Sequence, residues 1–237
     1  ERGEIDAALA EEMETHFKQL LQEKLDDVKQ EKAPPSKMKM DDIWKQFHFP
    51  VREDFEKKTD TTFDAKQWVS LAEKINFLPE NNLPIKKVQQ LYEGRLKMIK
   101  EDRYDWAMGE LMAYATLLSE GHGIRLAGQD SERGTFSHRH ALVKKEDSEA
   151  EYVPLDNISK EQPRFYVYNS LLSEYAELGF EYGYSTSTPN HLTIWEAQFG
   201  DFGNGAQIMI DQFVASAGTK WGQYSGLIMM MPHGYEG

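Results

Sequence analysis

The stretch Leu192–Phe213, LTIWEAQFGDFGNGAQIMIDQF, reads as strand, glycine-rich loop and helix in quick succession. Leu192 to Trp195 is an apolar run of strand length, and Gly205 to Ser216 continues as a helix. Outward from it the alternation recurs. Trp106 to Ser119 places Leu111, Tyr114, Ala115 and Leu118 on one helical face, and Gly121 and Gly123 end it. Ile124 to Ala127 and Phe165 to Tyr168 are short apolar strands. A helix starts at Ser173, and Leu227 to Met231 reads as a buried strand. Strands alternating with helices predict an α/β fold with a mostly parallel sheet covered on both faces. In such sheets ligands bind beyond the carboxyl ends of the strands. The loops after Ala127, Tyr168, Trp195 and Met231 are therefore where function is expected.

Upstream the pattern changes. Ile5, Leu9, Met13, Phe17, Leu20, Leu21, Leu25 and Val28 recur at steps of mostly three or four residues, one stripe on a long amphipathic helix ending near Lys32. KAPPSKMKM (Lys32–Met40) is linker-like, and Asp41 to Phe47 reads as a short helix. Asp64 can cap a helix bearing Trp68, Leu71, Ala72 and Ile75. Pro84 suits the first turn of another, which Ile85, Val88, Leu91 and Ile99 continue to about Lys100. Residues 1–105 hold only two of the 17 glycines, Gly3 and Gly94. Their net charge is −4, against −9 for residues 106–237. These shifts predict an all-helical part, 1–105, ahead of an α/β domain, 106–237.

Composition narrows the function. The 237 residues carry 40 acidic side chains against 27 Lys and Arg, a net charge of −13 that argues against nucleic acid as the main partner. The absence of Cys removes a disulfide scaffold, a thiolate zinc site and a Cys nucleophile. Membrane insertion is not expected, since no apolar run reaches the roughly 18–20 residues of a membrane span. The N-terminus lacks a secretion signal and a start Met, which suggests a piece of a longer protein.

The loops hold the unusual residues. GQDSERGTFSHRHAL (Gly128–Leu142) combines acids, arginines, hydroxyls and two histidines. On an extended segment His138 and His140 point the same way, either as a surface pair or as two metal ligands lacking a third. In NSLLSEYAELGFEYGYS (Asn169–Ser185), Glu174 sits at a helix start. It is either a capping carboxylate or a desolvated proton-transfer group in an aromatic segment. In EAQFGDFGNGAQ (Glu196–Gln207), three glycines before a helix can cradle a phosphate, but neither a P-loop nor GxGxxG is present. Phe199 and Phe202 either stack on a flat ring or belong to the core. The last loop is PHGYEG (Pro232–Gly237).

Read together, DWAMGELMAYATLLSEGHGIRLAGQDSERGTFSHRHAL (Asp105–Leu142), NSLLSEYAELGFEYGYS, IWEAQFGDFGNGAQIMIDQF (Ile194–Phe213) and MMMPHGYEG (Met229–Gly237) closely resemble the first, decarboxylating component of 2-oxoglutarate dehydrogenase complexes. NFLPENNLPIKKVQQLYEGRLKMIKEDR (Asn76–Arg103) resembles the helical lead-in of the same enzymes, and the first 75 residues match only loosely. The resemblance implies that 106–237 is a transketolase-like pyrimidine-binding domain, truncated at its C-terminus, and that 1–105 is the helical connector from a diphosphate-binding domain.

It further implies thiamine diphosphate as cofactor, with magnesium ligands in that other domain. Glu174 would hydrogen-bond the aminopyrimidine and promote the tautomer that activates the thiazolium carbon. Phe202, or Phe199, would stack on the ring. Gln129, Asp130, Ser131, His138 and His140 would line the site at a subunit interface, and His233 would meet the substrate or its intermediate. Glu132 stands where such loops usually carry Gly. The implied activity is oxidative decarboxylation of 2-oxoglutarate in the tricarboxylic acid cycle. Succinyl transfer would go to a lipoyl-bearing succinyltransferase partner from a homodimer in bacterial cytoplasm or mitochondrial matrix. A 2-oxoadipate dehydrogenase, a 2-oxoglutarate decarboxylase and a non-catalytic scaffold are the alternatives. The chain by itself is expected to be inactive.

Overall fold

The computed structural model describes residues 6–30 and 43–233. They divide into two compact units, Glu1–His48 and Phe49–Gly237. The first contains α1 (Ala7–Lys29), capped by the Asp6 carboxylate, which accepts from the Ala8 amide at 3.0 Å. The expected stripe forms, but no residue of α1 is buried. Ile5, the Lys32–Met40 segment, Asp41 and Asp42 lie outside the described residues, as do the last four of PHGYEG. Of the short helix expected over Asp41–Phe47, Ile43 and Trp44 are helical and a turn follows.

The second unit opens with α2 (Arg52–Glu56), α3 (Ala65–Ile75), α4 (Lys86–Glu101) and α5 (Trp106–Ser119). Asp64 caps α3 as expected, accepting from the Gln67 amide at 2.9 Å. Pro84 does not sit inside α4: Ile85 takes the cap position, and the Pro84 carbonyl accepts from the Gln89 side chain at 2.6 Å. Gly121, at φ 93°, turns the chain out of α5 in a conformation that suits glycine.

The strands are β1 (Ile124–Gly128), β2 (Val143–Lys144), β3 (Glu151–Tyr152), β4 (Phe165–Asn169), β5 (Leu192–Glu196) and β6 (Ile228–Met230). Four of them form a parallel sheet in the order β4-β1-β5-β6, with Leu126 between Val167 and Ile194. β2 and β3 make a separate antiparallel ribbon that the sequence pattern does not predict. Side chains alternate faces along a strand. Ile124, Leu126, Phe165, Val167 and Ile194 pack on Leu71, Ile75, Met108, Leu111 and Leu118 of α3 and α5. Trp195 and Ala197 pack on the opposite side with Leu178 of α6 (Glu174–Ser187) and with Met209 and Ile210. The sheet is thus covered on both faces, and each of β1, β4 and β5 extends one residue past its expected end.

Two expectations are corrected. The helix over Gly205–Ser216 is instead a 3-10 segment (Gly200–Ala206), one α turn (Gln207–Met209), a π turn (Ile210–Val214) and α7 (Ala217–Trp221). The Ser216 hydroxyl donates to the Asp211 and Gln212 carbonyls at 2.6 and 2.9 Å, competing with the helical ladder. The last strand is not buried: Ile228 and Met231 are exposed, because β6 is an edge of the described sheet.

Candidate active site

The ends of β1, β4, β5 and β6 bring the four loops together. Gly128 ends β1 where a Cβ would overlap the Glu196 carbonyl oxygen and reach within 2.5 Å of the Ser131 hydroxyl. Thr135 donates to the Gln198 carbonyl at 2.5 Å, and the Gly200 amide donates to Pro232 at 3.0 Å. Glu132 takes its place here. Its carboxylate accepts from Asn169 Nδ2 at 3.0 Å, and its amide donates to Asn169 Oδ1 at 3.0 Å, clasping this loop to the end of β4.

Glu174 is the first residue of α6, and Ser173 stands at the cap without a side-chain bond. Gln129 Nε2 donates to Glu174 Oε1 at 2.8 Å. A Cβ at Gly205 would lie 3.5 Å from Oε2. Glu174 is partly exposed, so the desolvated carboxyl of this helix is a different one. Glu177, one turn on, is 2% exposed, and burial pushes its carboxyl up to about 7. Phe199 and Phe202 are exposed rather than core, edge-to-face with ring centres 5.7 Å apart. Phe136 meets Phe199 at 6.4 Å and His138 at 6.3 Å, so an aromatic row runs from the 3-10 segment to His138.

That row borders a cleft of about 1020 Å³ lined by Trp106, Glu110, Phe136, His138, Arg139, Glu196 and His233, among others. Its floor is charged. Arg139 is fully buried, pairs with Glu110, lies 2.5 Å from Glu196 Oε2, and donates to the Ser131 carbonyl at 2.8 Å. Burial alone would raise the Glu110 carboxyl. The hydrogen bonds and charges of His138 and Arg139 outweigh that and hold it down at about 2. Burial raises Glu196, with Arg139 opposing. His138 Nε2 is 3.8 Å from Glu110. From α4, Arg95 donates to the His138 and Arg139 carbonyls at 2.7 and 2.5 Å, and the Tyr92 hydroxyl donates to the His140 carbonyl at 2.7 Å.

His138 and His140 do not act as an alternating pair. Ser137 and His140 have φ of 53° and 43°, so the segment is bent rather than extended. His138 lines the cleft and His140 does not. Burial, then Arg95 and Arg133, lowers the His140 imidazole. Asp130 pairs with Arg133, and Ser131 is buried. His233 is exposed at the cleft, its ring against Gly200, where a Cβ would overlap it. Glu174 and Gln129 thus meet beside Gly205, Phe199 and Phe202 belong to the row that borders the cleft, and His138 and His233 line the cleft itself. Arg139, Glu110, Glu196 and Glu177 were not singled out from the sequence. Glu110 carried a signal, as the sole charged residue of α5.

Comparison with known proteins gives one family, described as the transketolase pyrimidine-binding domain, which matches residues 102–237. The 2-oxoglutarate dehydrogenase E1 component of Coxiella burnetii is 48% identical over 186 residues, 78% of this chain and 20% of that protein. The component of the same name from Haemophilus influenzae is 49% identical over 179 residues, 75% of this chain and 19% of that protein. That of Azotobacter vinelandii is 50% identical over 179 residues, again 75% and 19%. The chain spans about a fifth of the length of these curated relatives.

Proposed function

This chain belongs to the transketolase pyrimidine-binding family, and from that premise we propose that it holds the aminopyrimidine of thiamine diphosphate in a 2-oxoglutarate dehydrogenase, succinyl-transferring. In this reading residues 106–237 are the pyrimidine domain and 1–105 the helical lead-in. The observation that carries it is Glu174 at the start of α6, with one oxygen held by Gln129 and the other facing the open side of Gly205. The Glu174 carboxyl offers a partner for a ring nitrogen, and exposed Phe202 and Phe199, in and beside the 3-10 segment that carries Gly205, offer faces for stacking. When bound, the cofactor supplies the electron sink for decarboxylation.

The chain's own part is positional. Gln129 orients the Glu174 carboxyl, Glu174 would hold a proton at the ring nitrogen, and the phenylalanines exclude water. Asp130 and Ser131 shape the loop, the first through Arg133 and the second through its carbonyl to Arg139. His138 and His233 face the cleft, where a dicarboxylate's charge can be met. His140 braces the loop through its carbonyl. Among the described residues no group of three or more His, Asp or Glu is placed to hold a metal ion. Magnesium and diphosphate contacts are assigned to a separate domain. The working unit is a homodimer serving a lipoyl succinyltransferase, in bacterial cytoplasm or mitochondrial matrix.

The test is thiamine-dependent ferricyanide reduction by the complete protein, offered 2-oxoglutarate, 2-oxoadipate and pyruvate separately. Preference for 2-oxoglutarate is expected, and Glu174→Gln should lower kcat roughly 100- to 10,000-fold. Preference for 2-oxoadipate would change the substrate assignment. Turnover of none, by a folded dimer with cofactor and magnesium, would leave a scaffold.

A further inference from the structure

Three consecutive carbonyls of the Gly128–Leu142 loop, those of His138, Arg139 and His140, accept hydrogen bonds from one helix, α4. Arg95 Nη2 reaches the first two at 2.7 and 2.5 Å, and the Tyr92 hydroxyl reaches the third at 2.7 Å. The donors lie 43 to 48 positions earlier in the chain. Tyr92 and Arg95, at i and i+3, share a face of the helix and are the two residues it buries. The guanidinium carbon stands 5.0 Å from the Tyr92 ring centre. A buried guanidinium is costly unless it is well paired. Arg95 meets main-chain carbonyls where a carboxylate would be the ordinary partner, and Glu110 pairs with Arg139 instead.

The backbone held in this way is unusual. Ser137 and His140 both lie in the left-handed region, which residues other than glycine seldom enter. Such conformations persist where the surroundings over-determine them. The Arg139 and His140 amides each donate to the Arg133 carbonyl at 2.9 Å, and the Ala141 amide donates to Glu132 at 2.8 Å. Amides are thus spent within the loop and carbonyls on α4, so the segment is gripped from both sides. His138 needs that grip. Its Nδ1 is buried without a hydrogen-bond partner among the described residues, and its Nε2 stands 3.8 Å from Glu110 Oε2. The ring's own polar contacts therefore fix it only loosely, and its backbone must place it.

We infer that Tyr92 and Arg95 are positioning residues: by holding the 138–140 backbone from α4, they set where the His138 imidazole stands in the cleft. This rests on the role proposed for His138 toward the substrate. Helix α4, part of the stretch that reads as a connector in the sequence, then serves substrate binding without touching the substrate. It acts through three carbonyls of the loop that carries the histidine.

The test compares the complete holoenzyme with Tyr92→Phe, which removes one hydroxyl and keeps the ring. The KM for 2-oxoglutarate should rise about 3- to 10-fold, the worth of one hydrogen bond, with kcat little changed. In a His138→Ala background the same substitution should leave KM where His138→Ala put it, because the group that Tyr92 positions is gone. Independently of turnover, the amides of residues 139–141 should exchange with solvent faster in Tyr92→Phe. A wild-type KM in Tyr92→Phe would overturn the inference, even with a lowered Tm, since only a structural role would remain. An equal rise in KM in both backgrounds would also overturn it, because the effect would not pass through His138. Unchanged amide exchange would do the same. Should Tyr92→Phe fail to fold, Arg95→Lys, which keeps the charge but loses the planar fork, gives the same readouts. A wild-type KM in His138→Ala would overturn the role proposed for His138 and this inference with it. Undiminished turnover in Glu174→Gln would instead overturn the proposed function, whatever Tyr92 does.

Discussion

Gly128 shows how tightly single positions are constrained at the sheet's carboxyl end. A Cβ there meets the Ser131 hydroxyl and the Glu196 backbone carbonyl, and the latter is held in the β1–β5 pairing. Gly128→Ala should cost about 1–3 kcal/mol, read as a lower urea midpoint. Arg139 sets a second constraint, because it is fully buried between Glu110 and Glu196. Glu110→Ala leaves that guanidinium with one carboxylate, and the expected loss is about 3 kcal/mol, the low end for breaking a buried pair. The Glu110 carboxyl is held at about 2 instead of 4.5, so its contribution is present above about 4.5 and lost as pH falls toward 2. Acid unfolding of Glu110→Gln should accordingly be less steep in that window. The place of Glu174 at a helix start was legible in the sequence. Arg139 was not, since its partners come from α5 and β5, 29 and 57 positions away in the chain.

Elements were more legible than their ends. The α5, β1, β4 and β5 segments were readable because each is a largely apolar run of helix or strand length bounded by glycines or polar residues. The region 200–221 was not, because 3-10, α and π turns differ only in which carbonyl each amide reaches, and the residue pattern does not record that choice. α1 illustrates a different limit. Its stripe of Leu9, Met13, Phe17, Leu20, Leu21, Leu25 and Val28 is regular, yet every one of these is exposed. A helix without packed contacts holds few protected amides. Hydrogen exchange of the chain should show α1 exchanging much faster than α5, whose Met108, Leu111, Ala115 and Leu118 lie in the core. Equal protection of the two helices would mean that α1 finds a partner surface in solution.

Among the described residues of the second unit, apolar surface remains uncovered. Leu171 is fully exposed, Trp106 is 94% exposed, and Phe180, Ile208 and Trp221 each expose more than half their surface. Patches of this kind mark association sites. Sedimentation of the isolated chain should show concentration-dependent self-association. The same chain should bind thiamine diphosphate more weakly than micromolar by calorimetry, because the diphosphate contacts are expected from another domain. Tight binding would show that the 237 residues form a sufficient site.

Periodicity and glycine placement determined the α/β class, the parallel sheet and the four loops where function was expected. These follow from local pattern, since a strand's two buried faces and a helix's apolar stripe are written in consecutive residues. The tertiary structure alone decided which charges meet. Arg139 joins Glu110 to Glu196, Arg125 neutralises Glu181, and Glu177 is left buried without a cation. Desolvation and Coulomb pairing depend on distance through space, and chain order carries no record of that until the sheet is assembled.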